Sequence, residues 1–169
     1  MAIDPATALI FLPFAVAIGV WVSWSDMKFM KIPNTAVLAL FAVFVVTGLF
    51  ALPIVEYLLR YAHVAVILAV GFAANMLRLM GAGDAKFLAA MAPFVDRGDA
   101  ALVMPIFATV LLAAFATHRI FRALPPIRRA YPDWESWTNR KFPMGLALAG
   151  ALILYLALGL AFGTQPPTA

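Results

Sequence analysis

Apolar residues fall in five long runs, Thr7 to Trp24, Thr35 to Leu52, Ala62 to Met80, Ala100 to Ile120 and Pro143 to Phe162. Each comes close to the roughly 20 apolar residues a helix needs to cross the hydrocarbon core of a bilayer, so the pattern predicts transmembrane helices separated by short polar connectors. A sixth run, Ala85 to Val95, is shorter. A helix from Asp84 to Val95 rises only about 18 Å at 1.5 Å per residue, less than the roughly 30 Å core. The first run has no basic region before it and no small-residue cleavage site after it, so it is expected to be a retained span. Met1 to Ala6 carry Asp4 as their only charged side chain, and this end can be translocated.

Composition excludes a fold in water. Hydrophobic residues make up 65% of the chain and charged residues 12%, and mean hydropathy is +0.98, whereas soluble domains are about 25% charged. The 169 residues suit one membrane domain over 1–169. The absence of cysteine removes disulfides, thiolate zinc sites and cysteine nucleophiles together. With six spans and the amino terminus outside, Lys28, Lys31, Arg78, Lys86, Arg119, Arg122, Arg128, Arg129, Arg140 and Lys141 all fall in the cytoplasm, and only Arg60 and Arg97 outside. That asymmetry follows the positive-inside rule. A short run that dipped in and returned would put the basic connector from His118 to Lys141 outside, so the run is counted as a span. The expectation is an all-α integral membrane protein, a six-transmembrane helix bundle. The net charge of +4 and pI of about 9.8 reflect the same asymmetry, with no nucleic-acid partner implied.

Against this background two acids stand out: Asp26, followed by Ile32-Pro33-Asn34, and Asp84, which closes Gly81-Ala82-Gly83-Asp84. Ionisable groups beside apolar spans are functional candidates by default, and both of these belong to the same membrane side. Two carboxylates sharing one proton can hydrolyse a peptide, the ionised one activating water and the protonated one polarising the carbonyl. Two unit charges about 4 Å apart at an effective dielectric of about 20 repel by roughly 4 kcal/mol, which favours the singly protonated pair.

The flanking residues suit that task. Gly81 and Gly83 are expected to supply unusual backbone angles and close approach for an extended substrate. Pro33 biases Ile32 to an extended conformation and suits a helix start, where Asn34 can bond free backbone groups. Lys86 lies two residues past Asp84, roughly 200° around a helix, and is expected to anchor at headgroups.

Other polar residues offer less. His63 and His118 lack neighbouring ligands at metal spacing, so neither a metal nor a cofactor is expected. Ser136 and Lys141 show no oxyanion structure between them. Asn75 is expected to bond between helices. Pro125, Pro126 and Pro132 forbid one long helix in the connector, and Tyr131, Trp134 and Trp137 resemble interfacial anchors. Asp133 or Glu135 could receive a basic peptide. Asp96 and Asp99, on the outer face, are expected to tolerate asparagine, and Ser136 and Gly98 to be accessible from opposite sides.

Taken together, Asp26 with Ile32-Pro33-Asn34, the run Gly81-Ala82-Gly83-Asp84-Ala85-Lys86 and the late Phe142-Pro143-Met144-Gly145 resemble the type IV prepilin peptidase family, in particular its small tight-adherence (Flp-type) members. The resemblance implies that Asp26 and Asp84 are the catalytic pair. It further implies that a short basic leader is cut from prepilins and pseudopilins at the cytoplasmic face of a bacterial inner membrane. The lipid bilayer is the setting and the pilus assembly machinery a candidate partner. Larger relatives carry a cysteine-paired insertion and methylate the new amino terminus; this chain has neither insertion nor cysteine, so methylation is not expected. Alternatives are a preflagellin-type leader peptidase, or a non-enzymatic scaffold or transport subunit of a secretion or pilus assembly.

Overall fold

The structure, a computed structural model, describes residues 1–164; the last five residues of the expected 1–169 domain lie outside the described residues. Asp4 starts the first helix, accepting a hydrogen bond from the Thr7 N–H at 3.0 Å, with Pro5 in the first helical position, where no N–H is needed. The helices are α1 (Pro5–Phe29), α2 (Asn34–Ala51), α3 (Ile54–Met76), α4 (Ala82–Met91), α5 (Ala100–Ala123), α6 (Pro125–Ala130) and α7 (Met144–Phe162). Single 3-10 turns occupy Ala92–Phe94, Arg97–Asp99 and Glu135–Trp137.

Small residues set the packing. Ala8, Phe11, Ala15, Ile18 and Val22 recur at three- and four-residue steps along one buried face of α1, and α7 covers that face with Leu148, Leu152, Tyr155 and Leu156. A Cβ on Gly159 would lie 2.5 Å from Ile3 and 3.4 Å from the Ala8 methyl, so glycine here allows close approach in a setting where packing drives helix association. Phe11, Phe44, Phe94 and Tyr57 form an edge-to-face and stacked cluster where α1, α2 and α3 meet the turn after α4.

Among the described residues, five helical stretches are long and apolar enough to cross a membrane: Pro5–Phe29, Asn34–Ala51, Ile54–Met76, Arg97–Ala123 and Met144–Phe162. The third begins at Ile54, well before the expected Ala62. Glu56 and Arg60 interrupt the apolar run, yet they pair at 2.8 Å on the helix, and Arg60 is buried with its guanidinium also bonded to the Pro93 and Val95 carbonyls and to Asp96 at 2.7 Å. Charges satisfied in this way do not end a helix.

The sixth run forms α4, ten residues long, plus the turn Ala92–Phe94. It runs antiparallel beside α3: Ala85 touches Gly71 and the Pro93 carbonyl reaches Arg60. Gly71 lies more than a turn inside the end of α3 at Met76, so Ala85, just after Asp84, is recessed from that end by roughly 7 Å at 1.5 Å per residue.

The acids assigned to the outer face are bound into the opposite end of the bundle. Asp99 is buried and accepts from the Ala2 N–H at 2.7 Å, the Ile3 N–H at 3.0 Å and the Tyr155 hydroxyl at 3.0 Å. Asp96 binds Arg60 and caps its own turn through Gly98. These acids hold the chain's start and α7 together, and are not free surface charges.

The connector departs from its reading as a set of interfacial anchors. Tyr131, Trp134 and Trp137 stack in series, and Trp137 is buried flat against His118, with ring centroids 5.5 Å apart. Ser136 is also buried.

Candidate active site

Asp26 sits near the end of α1, whose last carbonyls are closed by Met30 in the left-handed region at φ 49°, its N–H bonded to the Asp26 carbonyl. The chain then doubles back, with the Ser25 hydroxyl donating to the Lys31 carbonyl at 2.9 Å. Ile32 is buried, and Pro33, extended at φ −66° and ψ 136°, caps α2. That part of the expectation holds. Asn34 does not bond free backbone groups; its side-chain oxygen accepts from the Lys86 ammonium at 3.2 Å. Lys86 is exposed and crosses from α4 to the start of α2.

The Asp26 side chain is buried, and its Oδ2 accepts the Gly145 backbone N–H at 2.7 Å. Gly145 lies in the first turn of α7, whose free N–H groups and dipole favour a carboxylate. A Cβ at 145 would stand 3.0 Å from Asp26 Oδ2 and 3.1 Å from Val22 Cγ1, so only glycine permits this approach without movement.

Asp84 occupies the first turn of α4, and its half-buried carboxylate lies beside Gly81, the residue that precedes the helix. Here the expected role of the glycines changes. Gly81 has φ −68° and ψ 146°, and among the described residues no glycine has positive φ. Arg78 takes the left-handed position in this loop at φ 60°, while Asn75 bonds the Met80 carbonyl at 2.9 Å within the loop instead of reaching another helix. What Gly81 supplies is room: a Cβ there would lie 2.7 Å from Asp84 Oδ2. Gly83 lies against Ile32, where a Cβ would make an ordinary 3.4 Å contact.

Both carboxylates open onto one cleft of about 900 Å³, and the charge of Asp84 acts on Asp26. Ile32, Asn34, Gly81, Gly83 and Lys86 line the same cleft, so the structure gathers the residues singled out in sequence around it, with Pro33 behind Ile32. Lys141, Phe142 and Met144 also line the cleft; Phe142 and Met144 belong to the run that carries the family resemblance, but sequence reasoning assigns them no place in the site. Lys141 acts electrostatically on Asp84. Lys31, Arg78, Lys86 and Lys141 make the rim cationic, and among the described lining residues Asp26 and Asp84 are the only acids. Asp133 and Glu135 are exposed and lie outside it. Among the described residues no cluster of histidine, cysteine and acidic side chains has metal-site spacing.

A bundle of helices long and apolar enough to cross a membrane thus brings two carboxylates to one cleft. The profile of the type IV leader peptidase family matches residues 11–120, which include both aspartates, and the chain belongs to that family. Membership implies a peptidase with a leader-bearing prepilin as its substrate class. Neither a curated protein nor a solved structure matches the chain.

Proposed function

We propose that the protein is an aspartic endopeptidase of the bacterial inner membrane, which removes the short basic leader from Flp-type prepilins at the cytoplasmic face. Asp26 and Asp84 are its catalytic pair. The observation that carries this reading is the convergence of the two acids on one cleft in a chain of the leader peptidase family. The Gly145 N–H at the start of α7 holds one oxygen of Asp26, which leaves the other for water or for the scissile carbonyl. One acid ionised and one protonated then divide the work of base and acid. The cationic rim disfavours seating the basic leader inside the cleft, so the segment around the scissile bond occupies it. No methylation is assigned to this site.

In this reading α4 and its following turn are the sixth crossing, short enough to hold Asp84 below the membrane surface, and the amino terminus is outside. The positive-inside rule supports that orientation. Single-cysteine labelling tests it, with the probe positions chosen by exposure. Ser136 is buried, and a side chain at Gly98 would meet Ala2 at 2.7 Å, so Glu135 and Arg97, both exposed, are the better positions. A membrane-impermeant thiol reagent added to intact cells should label Arg97→Cys and spare Glu135→Cys until the membrane is opened. Labelling in the reverse order places the aspartates on the wrong side for leader removal.

A further inference from the structure

His118 has no part in the chemistry above, yet it is 3% exposed and, among the described residues, neither of its ring nitrogens has a hydrogen-bond partner. An imidazole in such a place contributes through its ring faces. One face stacks on Trp137, and the ring meets Phe142 edge-on, at 5.7 Å and 83°. Phe115, one turn earlier on α5, holds Phe142 from a second direction at 5.7 Å. Phe142 is thus clamped between two aromatic side chains of α5 while it also lines the cleft.

The chain beyond Phe142 is stiff. Pro143, buried at the cap of α7 with φ −70°, fixes its own backbone and restricts that of Phe142. Two residues on, the Gly145 N–H makes the one hydrogen bond to the Asp26 carboxylate found among the described residues. The segment has little slack, because a single added carbon at 145 would stand 3.0 Å from Asp26 Oδ2 and 3.1 Å from Val22 Cγ1 and would displace one or the other slightly. Its other end is fastened as well: Arg122 donates to the Asn139 carbonyl at 3.2 Å, and the Asn139 side chain accepts the Lys141 N–H at 2.9 Å.

We propose that His118 is a positioning residue: through Phe142 and Pro143 it fixes the start of α7, and so the Gly145 N–H that orients Asp26. The assignment rests on Asp26 being catalytic. The ring's faces carry the effect: neither nitrogen makes a hydrogen bond of ordinary geometry among the described residues, the Ser136 backbone alone lying near enough to act on the imidazole.

The test compares His118→Ala, His118→Phe and Asp26→Asn as full-length proteins purified in detergent, each assayed on a leader-bearing prepilin. His118→Ala should lower kcat by about tenfold to a hundredfold, the scale of a misplaced reacting group, with KM unchanged. His118→Phe should restore the wild-type kcat. Gly145→Ala should lower kcat in the same way, and the double variant His118→Ala with Gly145→Ala should be little worse than either alone. Wild-type kcat in His118→Ala overturns the proposal, as does failure of His118→Phe to rescue. Full additivity in the double variant also overturns it. If His118→Ala does not fold, Phe142→Leu, which removes the ring on which the imidazole acts, must show the same loss of kcat at unchanged KM. Normal activity in Asp26→Asn would instead defeat the catalytic reading itself, and the two failures are therefore distinct.

Discussion

Asp26→Asn and Asp84→Asn should each abolish leader removal while the protein still inserts in the membrane. Asparagine matches aspartate in size, and at position 26 its side-chain oxygen still accepts the Gly145 N–H. What it lacks is the ability to take up or release a proton. General acid–base catalysis contributes about a hundredfold to ten-thousandfold, and the loss at either position should be at least about a hundredfold. The measurement is the gel mobility of a co-expressed prepilin, with variant protein quantified in the membrane fraction. Substantial cleavage by either well-inserted variant would remove that residue from the chemistry.

The second large effect belongs to the opposite end of the bundle and concerns stability alone. Asp99→Asn should destabilise the fold, because the two carboxylate oxygens take three donors, from Ala2, Ile3 and Tyr155. An amide nitrogen in place of either oxygen turns a donor toward a donor, at a cost of about 1–3 kcal/mol for each buried group left unsatisfied. Asp133→Asn, on the exposed connector, should stay within about 0.5 kcal/mol of wild type. Denaturant titration in mixed micelles, followed by tryptophan fluorescence, reports both. The folded fraction of Asp99→Asn should cleave at the wild-type rate, since α1 separates this end from Asp26 by roughly 30 Å at 1.5 Å per residue. Equal stability of the two variants would show that the network around Asp99 contributes nothing.

Much of this fold is legible in sequence because a bilayer leaves few options. Backbone groups must be satisfied internally, so long apolar runs become helices, and four of the five appear close to the expected places, the third starting early at Ile54. The misread positions share one cause, polar partners distant along the chain. Arg60 looks like the end of a span until Asp96 and the Pro93 and Val95 carbonyls are seen around it. Asp99 looks like a surface charge until the start of the chain folds onto it.

The candidate site shows the same division. That Asp26 and Asp84 share one end of the bundle followed from the order of spans and charges, and the helix start at Pro33 from local backbone rules. The supporting contact from Gly145 did not, being 119 residues from Asp26. The glycines beside Asp84 were noticed for a valid reason, yet the relevant property is the missing Cβ at Gly81 and not a left-handed backbone.

The central claim, that this chain itself performs the hydrolysis, is tested most directly by purifying it alone and reconstituting it in lipid vesicles with a leader-bearing prepilin. A chelator is included and the products are weighed by mass spectrometry. The account predicts one cut that releases the intact basic leader, at a rate the chelator does not change. A prepilin that stays whole until another membrane component is added would contradict it in favour of a scaffold, and cleavage lost to the chelator and restored by zinc would contradict the two-carboxylate chemistry.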